Sequence, residues 1–197
     1  MSAPRSIWFR PMTLALGVLF GVLTVLTSYI PDTYRPWNFA AYGAIGLFLG
    51  ARAGLLPALA VALGSKLAFD LFNYIGHDLQ AEYRPMGILY VAFAVYPLFG
   101  LLLRKTEHPL AVVGVAALAG VPFFLVTNFE AWLGGANGRA HDFAGLMLAF
   151  ADGVPFYKGT LAGDLVFSAT LFAAHAVLSR TLFPAERVAV AADPQRV

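Results

Sequence analysis

Ala53–Ile75 reads AGLLPALAVALGSKLAFDLFNYI, an apolar run interrupted by two charges, Lys66 and Asp70, four positions apart. About 20 apolar residues suffice to cross a bilayer core as a helix. A charge at the centre of that core costs about 2.5–3.5 kcal/mol on insertion scales, so intramembrane charges pair with each other and mark function. Residues at i and i+4 share one face of a helix, which lets this ammonium and this carboxylate neutralise each other. The stretch therefore predicts a membrane helix with a polar stripe turned inward, and Asn73 extends that stripe. Counted from Ala53, Lys66 falls about 20 Å and Asp70 about 26 Å along the helix. Both lie in its outer half if the span starts inside. Ser65 beside Lys66 is no Ser-Lys dyad, because neighbours at i and i+1 point to different sides of a helix.

Composition extends this reading to the whole chain. Of its 197 residues 59% are hydrophobic and only 12% charged, about half the charged share of a soluble domain. So few charges cannot cover a water-exposed surface, and the lipid bilayer becomes the expected surroundings. There is no cysteine, which excludes disulfides, thiolate metal sites and cysteine nucleophiles. The basic balance is not gathered into a cluster, so no nucleic-acid partner is expected. No cofactor is expected either.

Six spans are predicted: Met12–Ile30, Phe39–Ala51, Ala53–Ile75, Met86–Leu103, Leu110–Val126 and Leu161–Phe183. The first follows Arg5 and Arg10 but is longer than a signal-peptide core and has no cleavage site after it, so it reads as an uncleaved span. The second is short, about 20 Å as a helix, and is expected to thin the bilayer or to be buried among its neighbours. Gly50 to Gly54 then turns the chain sharply into the third. Phe143–Phe150 is too short to span and reads as an interfacial or re-entrant helix. With both termini inside, Arg5, Arg10, Arg52, Arg104, Lys105, Arg180, Arg187 and Arg196 lie on the inner side, against Arg35, Arg84, Arg139 and Lys158 outside. This bias obeys the positive-inside rule. The fold class is thus all-α, a polytopic bundle of six transmembrane helices in the cell's inner (cytoplasmic) membrane. The domain plan is a cytoplasmic N-terminus at 1–11, one helical domain at 12–183 and a flexible cytoplasmic tail at 184–197.

Candidate functional residues gather toward the outer side. A long loop expected over 127–159 opens with Thr127-Asn128-Phe129-Glu130-Ala131-Trp132. Long loops within compact domains are usually functional. Asn128, Glu130 and Trp132 supply hydrogen bonds and a stacking face suited to a small polar-aromatic ligand, although Trp132, Phe156 and Tyr157 also fit an interfacial aromatic belt. Trp37 and Asn38 open the second span; Asn38 could cap that helix. Asp164 either caps the start of the sixth span, where a negative charge complements the helix dipole, or faces Lys66 across the bundle. His77-Asp78 and His141-Asp142 could join Glu130 around a metal, but two histidines without motif spacing are weak ligand evidence. Gly17 and Gly21 form a small-residue face, for internal packing or for docking a membrane partner.

Asn38–Arg52, the Lys66–Asp70 region, Thr127–Trp132 and Pro155–Ser168 resemble a bacterial family of uncharacterised integral membrane proteins. That family is similar in layout to the substrate-binding S components of energy-coupling factor (ECF) vitamin transporters. The resemblance implies six helices, an outward ligand site built from helix ends and loops, and a small-residue face on the first helix for a coupling subunit. S components often show Ala-x-x-x-Ala there, where this chain has Gly17-x-x-x-Gly21.

The resulting expectation is a substrate-binding subunit, not an enzyme, for uptake of a vitamin-like solute. Its ligand would meet Lys66, Asp70, Asn73, Asn128, Glu130, Trp132, Trp37, Asn38 and Asp164. No Walker A motif is present, so energy would come from a partner transmembrane subunit and ATPase. The alternatives are an intramembrane enzyme using Glu130, His141 and Asp142, and an assembly scaffold whose polar interior only fixes helix packing.

Overall fold

The structure, a computed structural model, describes residues 10–30, 33–34, 38–76, 78–79, 87–135 and 138–188. Trp37, His77, the N-terminal residues 1–9 and the tail residues 189–197 lie outside them. The described residues are all-α: α1 (Pro11–Leu26), α2 (Tyr42–Arg52), α3 (Leu55–Gly76), α4 (Gly87–Phe93), α5 (Val95–Gly100), α6 (Pro109–Leu133) and α7 (Phe143–Thr181). α4 and α5 follow one another around Ala94 and fill one place, so the described residues form a six-helix bundle.

α2 is the hub. Every one of its residues is buried, and it packs against α1, α3, α5 and α7. The short segment expected as a second span is thus the one enclosed by the other helices. Its glycines permit this. A β-carbon on Gly50 would strike the Pro97 backbone, and one on Gly100 would strike the Leu47 carbonyl, so the backbones of α2 and α5 touch. Gly17 likewise packs on Leu49, which a β-carbon would meet at 2.7 Å, and Gly21 on Ser65 at 3.2 Å. The small-residue face of α1 is therefore used inside the bundle. α2 ends where the amides of Ala53 and Gly54 both donate to the Leu49 carbonyl. Gly54, at φ 102°, adopts the left-handed conformation that this sharp link into α3 requires.

Three elements depart from expectation. The fourth span is broken after Phe93 rather than continuous. Pro97 has no N–H to donate to the carbonyl four residues back, which is that of Phe93. The long loop is mostly helix: α6 runs on to Leu133 and α7 starts at Phe143, which leaves only residues 134–142 between them. Phe143–Phe150 is accordingly the first part of a 39-residue helix, about 58 Å long, and no separate interfacial segment. Asp142 caps it by accepting from the Gly145 amide at 2.7 Å.

The third departure is at residues 184–188, expected to begin a flexible tail. Pro184–Glu186 forms a 3-10 turn whose Glu186 is buried and caps α1 from a distance. Its carboxylate accepts from the amides of Met12 (2.8 Å) and Thr13 (2.9 Å) and from the Thr13 hydroxyl (2.6 Å). The N-cap residue of α1, Arg10, offers no side-chain cap, so Glu186 supplies what the first turn lacks. Arg52 secures the same end, donating to the carbonyls of Leu103 (2.6 Å) and Thr106 (2.7 Å).

By length and composition α3, α6 and α7 can each cross a membrane. Large apolar side chains stay exposed on the outside of the bundle, including Val18, Leu19, Val22, Leu23, Leu118 and Val177. Soluble monomers rarely expose contiguous apolar surface on this scale, and the structure is consistent with a multi-pass integral membrane protein.

Candidate functional site

A cavity of about 390 Å³ opens between α2, α3, α4, α6 and α7, within the size range of small-molecule sites. Its walls are aromatic: Phe39, Tyr42, Phe69, Phe93, Phe123 and Phe156. Phe93 ties them together, with its ring centroid 4.6 Å from that of Phe123 and 5.6 Å from that of Tyr42. Asn38 and Phe156 are exposed and stand where the cavity meets the surface.

Two charged side chains line it, Lys66 from α3 and Asp164 from α7. Of the two positions considered for Asp164, the structure shows the one that shares a cavity with Lys66. The residue lies well inside α7, not in its first turn.

Lys66 is satisfied from its own side of the bundle. Its ammonium donates to Oδ1 of Asp70, whose Oδ2 accepts from the Tyr90 hydroxyl at 2.8 Å. The rings of Tyr42, Phe69 and Tyr90 surround it, each with its centroid 5.8–5.9 Å from Nζ, within cation–π range. The i,i+4 pair read from the sequence is thus formed, and its charges are spent on each other.

Asp164 is held differently. It is 2% exposed, and Oδ2 accepts from the Tyr96 hydroxyl at 2.6 Å. Glycines make its niche. A β-carbon on Gly43 would collide with Oδ1, and one on Gly120 would sit 3.3 Å from Oδ2. Gly43 belongs to the first turn of α2, the positive end of that helix dipole, which favours a nearby anion. Among the described residues no cation forms an ion pair with Asp164.

Of the remaining polar lining groups, Asn38 and Tyr42 carry donors, whereas the threonines are held as acceptors. Thr127 and Thr160 line the cavity, but their hydroxyl protons go to the carbonyls of Phe123 (2.9 Å) and Phe156 (3.3 Å) on their own helices. Each hydroxyl then faces a ligand with lone pairs only.

A sequence model for a family of unknown function, DUF6580, matches residues 6–188. The chain belongs to that family. No curated protein and no solved structure matches it.

In this DUF6580 member the other expected residues are spread more widely. Asn38 lines the cavity but caps nothing: α2 starts after Ala41 without a side-chain cap, and Asn38 itself has φ 58°. Asp70 reaches the site only through Lys66. Asn73 and Asn128 are not lining residues, and their amides donate to the carbonyls of Phe69 and Phe124 one turn back, both at 2.8 Å. Asn128 also fills the space beside Gly153 on α7. Trp132 closes the α6–α7 link, donating to the Ala140 carbonyl at 3.0 Å and meeting the His141 ring edge-on. Glu130 lies on α6 away from the cavity lining. Among the described residues no three His, Asp or Glu side chains gather as metal ligands.

Tyr42, Tyr90, Tyr96 and Phe123 were not singled out from the sequence. Each sits in an apolar run, where an aromatic residue reads as core. For Tyr90 and Tyr96 the available signal was the hydroxyl, since a buried tyrosine O–H needs a partner, and the carboxylates of the apolar segments are the natural acceptors.

Proposed function

We propose that this protein is a solute-binding subunit of the bacterial inner membrane, with six spans and both termini cytoplasmic, that takes up a small vitamin-like organic molecule. The observation that carries the reading is the aromatic cavity with Lys66 and Asp164 in its wall. Its size and lining suit a ligand with a flat apolar body and a few polar groups. The role is binding rather than catalysis. Six spans require α1, the short enclosed α2 and the broken α4–α5 segment to count alongside α3, α6 and α7. In this layout the protein resembles the S components of ECF transporters. The sequence has no Walker A motif, so a partner transmembrane subunit and an ATPase would supply the energy.

The test is a thermal-shift screen of the purified protein in detergent against a panel of vitamins and their precursors. At least one compound should raise the melting temperature by several degrees, and Phe123→Ala should abolish that shift. A broad panel without any shift, from a protein that melts cooperatively, would count decisively against the reading.

A further inference from the structure

The sign of the cavity's charge is legible from its side chains. Lys66 has spent its charge on Asp70 and on three aromatic rings. Asp164 has only the neutral Tyr96 hydroxyl as a hydrogen-bond partner, and no cation is paired with it among the described residues. With Asp164 ionised, formal charges of +1, −1 and −1 sum to −1. A buried carboxylate without a cation is costly, and an incoming cation would remove that cost. Two of the neutral groups point the same way. Thr127 and Thr160 present lone pairs, which ask for donors on the ligand. The walls are aromatic, and an aromatic face attracts a cation.

We infer that the cavity takes an organic cation, a protonated amine or a cationic nitrogen heterocycle on an apolar body, with its charge placed at Asp164. The inference rests on the solute-binding reading above and narrows it to one sign of charge. It also separates the two charged residues. Asp164 is the ligand's counter-ion, and the Lys66–Asp70 pair is a neutral, rigid wall.

The test titrates the purified protein in an uncharged glycoside detergent with three probes of one shape: 2-naphthylmethylammonium, 2-naphthylmethanol and 2-naphthoate. The ammonium should bind at least tenfold tighter than the alcohol, and the carboxylate weakest. Asp164→Asn, which keeps the side chain's size, should shrink the preference for ammonium over alcohol below threefold. Equal or tighter binding of the alcohol or the carboxylate overturns the cation assignment and leaves solute binding standing. A tenfold preference that survives in Asp164→Asn overturns it too. No binding of any probe at millimolar concentration overturns both readings together. The order of affinities in the unmodified protein decides the sign even if the variant does not fold. Competition by short-chain phosphatidylethanolamine, with phosphatidylglycerol as control, tells a free amine from a lipid headgroup. Tenfold displacement by the former alone would keep the cation and overturn the soluble ligand.

Discussion

Gly43 and Asp164 are in such close contact that a β-carbon on the glycine would collide with Oδ1 of the carboxylate and with the ring of Tyr96. A helix start on α2 and a helix middle on α7 thus share one small volume. Gly43→Ala should overpack it, at a cost of about 1–3 kcal/mol, and lower the melting temperature in detergent. Gly64 has nothing within 4 Å of its β-position, so Gly64→Ala should be neutral or stabilising by up to about 1 kcal/mol, through helix propensity alone. Equal melting temperatures for the two variants would contradict this packing.

The Tyr96–Asp164 hydrogen bond should appear as a coupling energy. A hydrogen bond contributes about 0.5–1.5 kcal/mol, and one to a charged group about 1.5–3 kcal/mol. A double-mutant cycle with Tyr96→Phe and Asp164→Ala, read by reversible unfolding, should return a coupling within about 1–3 kcal/mol. Strict additivity would mean that the hydroxyl and the carboxylate do not interact.

The Lys66–Asp70 pair should behave as a unit. Lys66→Met alone leaves Asp70 buried with only Tyr90, and breaking a buried pair costs about 3–5 kcal/mol. Lys66→Met combined with Asp70→Leu should recover most of that stability. If the double variant is as unstable as the single one, the pair's worth lies in contacts other than the ion pair.

Glu186 should be an essential cap for α1. Glu186→Ala removes the acceptor for two amides and a hydroxyl, and losing a helix cap costs about 0.5–2 kcal/mol. Hydrogen exchange at Met12 and Thr13 should accelerate more than at the middle of α1, with Glu186→Gln falling between. Unchanged exchange at those two amides would remove the capping role.

Much of the helical plan was legible because hydropathy and length are local properties. The enclosure of α2 followed from its shortness and its glycines, and the Lys66–Asp70 contact from helical spacing. What stayed hidden depended on where helices continue. Pro155, Asp152 and Lys158 look like a loop before an apolar span, yet α7 passes through all three without needing unbroken hydrophobicity. That continuity moved Asp164 from a helix start to a helix middle. The matching extension of α6 placed Asn128, Glu130 and Trp132 on a helix, where two of them serve hairpin packing. Tyr96 was hidden because only the tertiary fold brings its hydroxyl to a carboxylate 68 positions away.

The bond between Thr13 and Glu186 joins residues 173 positions apart. Closing so long a loop carries an entropic cost that local helix contacts do not, and contacts of high sequence separation slow folding. On the ribosome, α1 precedes α7 and acquires its cap only after α7 and the turn beyond it have been made. The opening turn of α1 therefore waits until α2 to α7 have all been made for the acceptor that completes it.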